Sequence, residues 1–148
     1  MTAHKAILAF NSAFFEAALY GKFKESQTNT IALPQDSFQT ISAFLTWAYS
    51  GQIEASCSVE ELWVLGDRLR SPHFTNEVMH LALSTYHIEE RWLSARGADI
   101  ALKQTPSGSK LRKFVQNYLN AHGLLCAKAL KDEVEFYKNT AYERDCMR

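Results

Sequence analysis

Glycine is sparse and widely spaced in this sequence of 148 residues, which contains only six glycines. Loops that cradle a phosphate need several glycines within about eight positions, because backbone N–H groups must approach the anion closely. Here the closest pair, Gly97 and Gly108, is eleven positions apart. The sequence therefore excludes a nucleotide-binding loop of the known glycine-rich kinds.

Cysteine, histidine and serine do not stand at the spacings that metal sites or common nucleophile motifs require. Cys57, Cys126 and Cys146 form no C-x-x-C pair, which argues against both a disulfide framework and a zinc site. The nearest histidines are seven positions apart, whereas two ligands on one helix turn need a spacing of three or four. No serine stands in a G-x-S-x-G elbow. We expect no catalytic residue, no cofactor and no metal, and three reduced thiols in an intracellular protein of the cytoplasm or nucleus.

Charge of one sign and long apolar runs are missing as well. The 16 basic and 16 acidic residues cancel, so no global field draws the protein onto nucleic acid or an anionic membrane. No apolar run is long enough for a membrane span. Lys110, Arg112 and Lys113 cluster at a helix start, where a solvated face explains them. A small helical protein that binds nucleic acid or has a regulatory role is kept as an alternative.

The N-terminal third contains two short helical patterns and one strand pattern. Residues 3–10 are apolar, and after Asn11-Ser12 a second apolar stripe runs at helical spacing towards Gly21. Two short helices in a hairpin fit this pattern. Thr30–Leu33 alternates between polar and apolar side chains and ends at Pro34, which predicts a brief strand.

Five further helices are predicted from apolar stripes and from residues that favour helix starts. Asp36 is the expected cap of the first, Ser58 with Glu61 forms a capping box for the second, and Ser109 precedes the fourth. The expected buried stripes are Phe38/Ile41/Leu45/Ala48, Leu62/Leu65/Leu69, Phe74/Val78/Leu81/Ala82/Thr85, Leu111/Phe114/Val115/Tyr118/Leu119 and Leu130/Val134/Tyr137/Ala141. Phe44, Trp47 and Tyr49 are expected to widen the first of these buried faces.

Several of these segments, in this order, resemble a BTB/POZ domain. The stretch from His4 to Leu8 is similar to the family's "HKxxL" segment, and Ser12–Phe15 to its "S-x-x-F" helix. Ile31–Pro34 reads "I-x-L-P", and Phe44–Gly51 matches "F-L-x-W-x-Y-x-G". Residues 62–83 look like the closing helical hairpin. The resemblance covers roughly residues 3 to 88.

The resemblance implies a mainly α fold, a BTB/POZ-like helical cluster with a short residual β-strand, over residues 1–88. Family members carry a β-hairpin before the "HK" segment, and Met1 stands almost where that hairpin should end. We therefore expect an N-terminally truncated domain with an exposed sheet edge that a partner strand could complete. Either the gene product is shortened or the sequence starts at an internal methionine. Residues 89–148 are expected to form a C-terminal helical extension. Within it, residues 104–112 are similar to the tail of filamentous-fungal BTB proteins.

The same resemblance implies a non-enzymatic scaffold or adaptor for protein–protein interaction, with a second copy of the chain or a cullin among the expected partners. Cullin-binding relatives use an apolar-x-Glu motif, and its counterpart here, Phe38-Gln39-Thr40, lacks the acid. A role as substrate adaptor of a cullin-type ubiquitin ligase therefore stays an alternative. Phe38, Gln39 and Tyr49 are the candidate partner-binding residues, against the alternative that Phe38 and Tyr49 pack inward.

Overall fold

The computed structural model describes residues 1–53, 57–88 and 93–122, and the chain divides into two compact units, residues 1–90 and 91–148. The described parts are mainly helical, as predicted. The predicted helix with the stripe from Leu130 to Ala141 lies outside the described residues.

Six helices and a π-helical turn make up the described part of the first unit. They are α1 (Lys5–Asn11), α2 (Ala13–Tyr20), α3 (Lys24–Thr28), α4 (Phe38–Ser50), α5 (Val59–Arg68), α6 (Pro72–Leu83) and the π-helical turn Ser84–Ile88. In the second unit, α7 (Ala95–Lys103) is followed by α8, which is helical over residues 110–122. Helices α3 and α7 were not predicted.

Serine hydroxyls begin five of these helices. Each accepts a hydrogen bond from the backbone N–H three residues further on, which satisfies a donor that the first helical turn leaves free. The distances are 3.0–3.2 Å for the serines that precede α2, α4, α5, α7 and α8: Ser12, Ser37, Ser58, Ser94 and Ser109. The predicted starts at Ser58 and Ser109 are confirmed.

Asp36 was wrongly predicted to cap α4, because Ser37 is the capping residue. The Asp36 carboxylate instead accepts a hydrogen bond from Arg68 at the end of α5, at 2.6 Å. A charged partner holds a carboxylate more strongly than a neutral backbone N–H does.

An aromatic cluster forms the centre of the first unit. The Phe44 ring packs edge-on against Phe74 with centroids 5.1 Å apart, and lies 5.7 Å from Trp47 and 6.0 Å from Phe15. All four side chains are buried. Apolar side chains of α5 and α6 extend this core: Leu62, Leu65, Leu69, Val78 and Ala82.

The predicted buried face of α4 was wrong in part. Phe38 and Tyr49 are 68% and 49% exposed, and Ile41, Leu45 and Ala48 are half-buried. The side that faces the core carries Ala43 together with Phe44 and Trp47, which were predicted to be buried. Helix α4 has two neighbouring apolar stripes. The stripe with two large rings removes more apolar area from water, so it takes the core position.

The predicted strand at Thr30–Leu33 was also wrong, since the described residues contain no strand. The expected alternation is present: Ile31 and Leu33 are half-buried, while Thr30 and Ala32 are exposed. A strand is defined by pairing of its backbone groups with a neighbouring strand, and the described residues offer none. The Leu33 carbonyl instead accepts a hydrogen bond from the Asp36 N–H at 3.3 Å, which closes a turn. Thr30–Leu33 is therefore an unpaired loop.

The second unit has a smaller core of its own. Ile100 and Ala101 of α7 are buried, as are Leu111, Val115 and Tyr118 of α8. The last three belong to the stripe predicted for α8. The connecting turn is fixed by two buried or half-buried hydroxyls: Thr105 Oγ1 donates to the Ala101 carbonyl at 2.5 Å and lies 2.9 Å from Ser109 Oγ.

Candidate functional site

An open groove of about 740 Å³ runs along one side of α4, and we name it the α4 groove. Three side chains of α4 line it, namely Phe38, Ile41 and Leu45. The other lining residues come from the N-terminal segment, α1, α2 and the loop before α4: Met1, Thr2, Ala3, Lys5, Leu8, Phe15, Leu19, Asn29, Thr30, Ile31, Leu33 and Asp36. The groove is therefore mostly apolar and opens to solvent.

The spacing of the α4 residues explains why they share this groove. Positions 38, 41 and 45 are three and four apart, which places them on one side of a helix. The opposite side of α4 holds Phe44 and Trp47 in the aromatic cluster. Because that cluster fixes the rotation of the helix, the groove side keeps its orientation without any partner present.

Tyr49 connects the end of α4 to the start of α1. Its hydroxyl oxygen accepts a hydrogen bond from the His4 backbone N–H at 2.8 Å and lies 2.8 Å from His4 Nδ1. The two rings are 5.8 Å apart. His4 is the residue before α1 and has no side-chain cap of its own. The Tyr49 hydroxyl thus holds the N-terminal wall of the groove against α4.

An ion pair fixes the turn that leads into α4. Arg68 donates from Nη2 to Asp36 Oδ1 at 2.6 Å and from Nη1 to Gln35 Oε1 at 2.7 Å. The Asp36 side chain is almost fully buried. Burial raises the pKa of Asp36, and the attraction of Arg68 only partly opposes this rise. The ion pair joins the end of α5 to the loop before α4, which contributes Ile31, Leu33 and Asp36 to the groove.

The three predicted site residues occupy different places on α4. Phe38 lines the groove, Gln39 is exposed beside it, and Tyr49 is 49% exposed at the far end of the helix. Phe38 and Tyr49 do not pack inward, so that alternative was wrong for both. Ile41 and Leu45 were not among the predicted site residues: the sequence placed them on one stripe with Phe38, but that stripe was expected to be buried.

Within residues 1–53, 57–88 and 93–122, no three histidine, cysteine or acidic side chains converge in a way that could hold a metal ion. No helix in the same ranges is long and apolar enough to cross a membrane. The α4 groove has a mostly apolar lining with a few polar side chains, among them Asn29, Thr30 and Asp36.

Comparison with known families identifies the first unit. The family model of the BTB/POZ domain matches residues 1–85, which is more than half of the chain. No curated protein matches the sequence. BTB/POZ domains are non-enzymatic modules for protein–protein interaction. The match spans α1 to α6 and includes every residue that lines the α4 groove. The chain belongs to the BTB/POZ domain family.

Proposed function

We propose that this chain acts as a scaffold or adaptor that docks a partner protein on the α4 groove, with Phe38, Gln39 and Tyr49 in the contact surface. The proposal is carried by the exposure of Phe38, the first residue of α4, which has 68% of its surface in solvent. Phe38 lines the groove together with Ile41 and Leu45. Large exposed aromatic side chains beside an apolar groove are typical of docking sites.

The exposed Phe38 side chain supplies part of the free energy of binding. A phenylalanine side chain buries about 150–250 Å² when it is covered, and each square ångström of apolar area contributes about 25 cal/mol. Covering the exposed 68% of Phe38 would therefore contribute about 2.5–4 kcal/mol. Since the aromatic cluster and the Tyr49–His4 contact already fix the walls, little ordering cost opposes this gain.

Two partner types follow from the family. A second copy of the chain is one candidate, and sedimentation of the purified protein tests it directly. A cullin is the other, but we favour it less. The third position of the cullin-type motif, Thr40, is only 5% exposed, and its hydroxyl donates to the Ser37 carbonyl at 2.9 Å. The Thr40 side chain is therefore bonded within the first turn of α4 and is not available to a partner.

Site-specific photo-cross-linking tests the proposal. A benzophenone amino acid is placed at position 38, 39 or 49 of the full chain, and adducts formed in cells are identified by mass spectrometry. Phe10 supplies a matched control, because it is a phenylalanine with 89% exposure that does not line the groove. We expect one shared partner at 38 and 49 and none of it at 10.

The recovered partner is then measured against purified variants. Phe38→Ala should raise the dissociation constant of this partner by about tenfold or more, as expected for a central aromatic contact. Phe10→Ala should change the same constant less than about twofold. Equal effects of the two substitutions, or the same adducts at positions 10 and 38, would contradict docking on the α4 groove.

A further inference from the structure

Helix α5 ends in a tight turn whose geometry favours glycine, yet the residue there is arginine. Arg70 has a φ of 50°, its N–H donates to the Asp67 carbonyl at 3.0 Å, and the Ser71 N–H donates to the Gly66 carbonyl at 2.9 Å. This pair of bonds is the Schellman motif, in which glycine is the usual residue at the left-handed position. Arginine at that position costs stability that glycine would not cost.

The neighbouring helix holds Arg70 in this conformation. The Ala13 N–H donates to the Arg70 carbonyl and the Phe14 N–H to the Leu69 carbonyl, both at 3.3 Å. The Ser12 hydroxyl donates to the same Leu69 carbonyl at 2.5 Å. The backbone of Arg70 is therefore fixed to the start of α2.

Arg70 lines a second groove, of about 450 Å³, which we name the α2 groove. Its apolar wall includes Phe14 and Ala17 of α2 and Phe23 before α3, and Phe23 is more than half exposed. Glu25 of α3 lines it as well. The α2 groove thus combines aromatic surface with two side chains of opposite charge.

The charges of the α2 groove are incompletely paired. Arg68, which also lines it, is bound to Asp36 at 2.6 Å. Within the described ranges, by contrast, neither Arg70 nor Glu25 forms an ion pair. A free guanidinium beside an apolar wall complements a carboxylate that is followed or preceded by apolar side chains. Glu25 repels the same carboxylate, so the acidic end of a bound segment must lie towards Arg70.

We propose that the α2 groove binds an apolar peptide segment of a partner protein that carries one acidic residue, and that Arg70 is the anchor for its carboxylate. The strained turn places Arg70 at the edge of this groove. This inference goes beyond the docking surface on α4 and does not depend on it.

Three synthetic peptides with the same Leu-Phe-Leu core test the proposal. They differ in one neighbouring residue, which is glutamate, glutamine or lysine, and their binding to the full chain is followed by NMR shifts of the Ala17 and Phe23 amides. We expect the glutamate peptide to bind about threefold to fivefold more tightly than the glutamine peptide, and the lysine peptide to bind least.

Three variants assign the effect to the named side chains. Arg70→Gly should abolish the preference for glutamate over glutamine, and Arg70→Lys should retain most of it. Glu25→Gln should tighten binding of the glutamate peptide by about twofold. Because glycine relieves the left-handed turn, Arg70→Gly should unfold at the same or a higher urea concentration than the wild type. Loss of preference then cannot be attributed to unfolding.

Several outcomes would overturn the inference. One is an unchanged preference for glutamate in Arg70→Gly, and another is the absence of amide shifts with all three peptides at millimolar concentration. A lower urea midpoint for Arg70→Gly would refute the argument from strain. Phe38→Ala should leave all these affinities unchanged, so failure here and failure of docking on the α4 groove are distinguished.

Discussion

Helix α4 presents one phenylalanine to the core and one to solvent, and substituting each in turn tests the description of the two sides. Phe44 is 1% exposed and its ring contacts Phe15, Trp47 and Phe74. Removing a buried phenylalanine down to alanine costs about 3–5 kcal/mol, and leucine keeps part of the volume. Phe44→Leu should therefore lower the free energy of unfolding by about 2 kcal/mol.

The same substitution at Phe38 should have little effect on folding. Its side chain is mostly in water, so Phe38→Leu should change the free energy of unfolding by less than about 0.5 kcal/mol. The two variants make a matched pair, with identical chemistry on one helix.

Urea unfolding followed by tryptophan fluorescence measures both variants, since Trp47 and Trp63 are buried and report on the core. A loss of 2 kcal/mol moves the midpoint by about 1 M urea at the slopes usual for small domains. Similar urea midpoints for Phe44→Leu and Phe38→Leu would contradict the orientation in which α4 buries Phe44 and exposes Phe38.

Three further substitutions test the contacts around the core. Ser12→Ala should cost about 1–2 kcal/mol in urea unfolding, because it removes both the cap of α2 and a buried hydrogen bond to the end of α5; a loss below 0.3 kcal/mol, roughly the size of ordinary surface effects, would contradict this. Gly66→Ala should cost about 1–3 kcal/mol, since a new Cβ would lie 2.8 Å from the Phe74 ring; an unchanged midpoint would show that the ring moves freely. Burial raises the pKa of Asp36 despite Arg68, so the folded state loses stability as pH rises through that raised pKa. Wild-type stability relative to Asp36→Asn should therefore fall with rising pH in this acidic range, and a rise in the paired urea midpoints would contradict the assignment.

Local signals in the sequence were sufficient for the starts of α5 and α8. A serine hydroxyl acts on a backbone N–H only three residues away, so Ser58 and Ser109 could be recognised without the tertiary structure. The five residues of α3 were missed because they contain no apolar stripe. Helix α7 was missed although Ser94 caps it, since Ile100 and Leu102 are its only large apolar residues.

Features that depend on distant residues were not predictable from local patterns. The choice between the two apolar stripes of α4 was decided by packing against Phe15 and Phe74, which lie 29 and 30 positions from Phe44. The hydrogen bond between Tyr49 and His4 joins residues 45 positions apart. The pattern at residues 30–33 correctly predicted the alternation of exposed and half-buried side chains. A local pattern cannot show whether a neighbouring strand is present to pair with it.

The resemblance to BTB/POZ domains supplied what periodicity could not. It placed the "HK" segment and the end of α4 in one domain, and the structure brings these two segments together through His4 and Tyr49. The partner-binding roles of Phe38, Gln39 and Tyr49 stay predictions.

Amide hydrogen exchange with and without the partner identified by cross-linking tests the central claim most directly, because it reports on the whole surface at once. Docking on the α4 groove predicts slower exchange in residues 1–8, 29–33 and 38–49, and unchanged exchange in α6. Protection confined to α6, or unchanged exchange throughout the groove, would contradict the claim that this BTB/POZ domain binds its partner there.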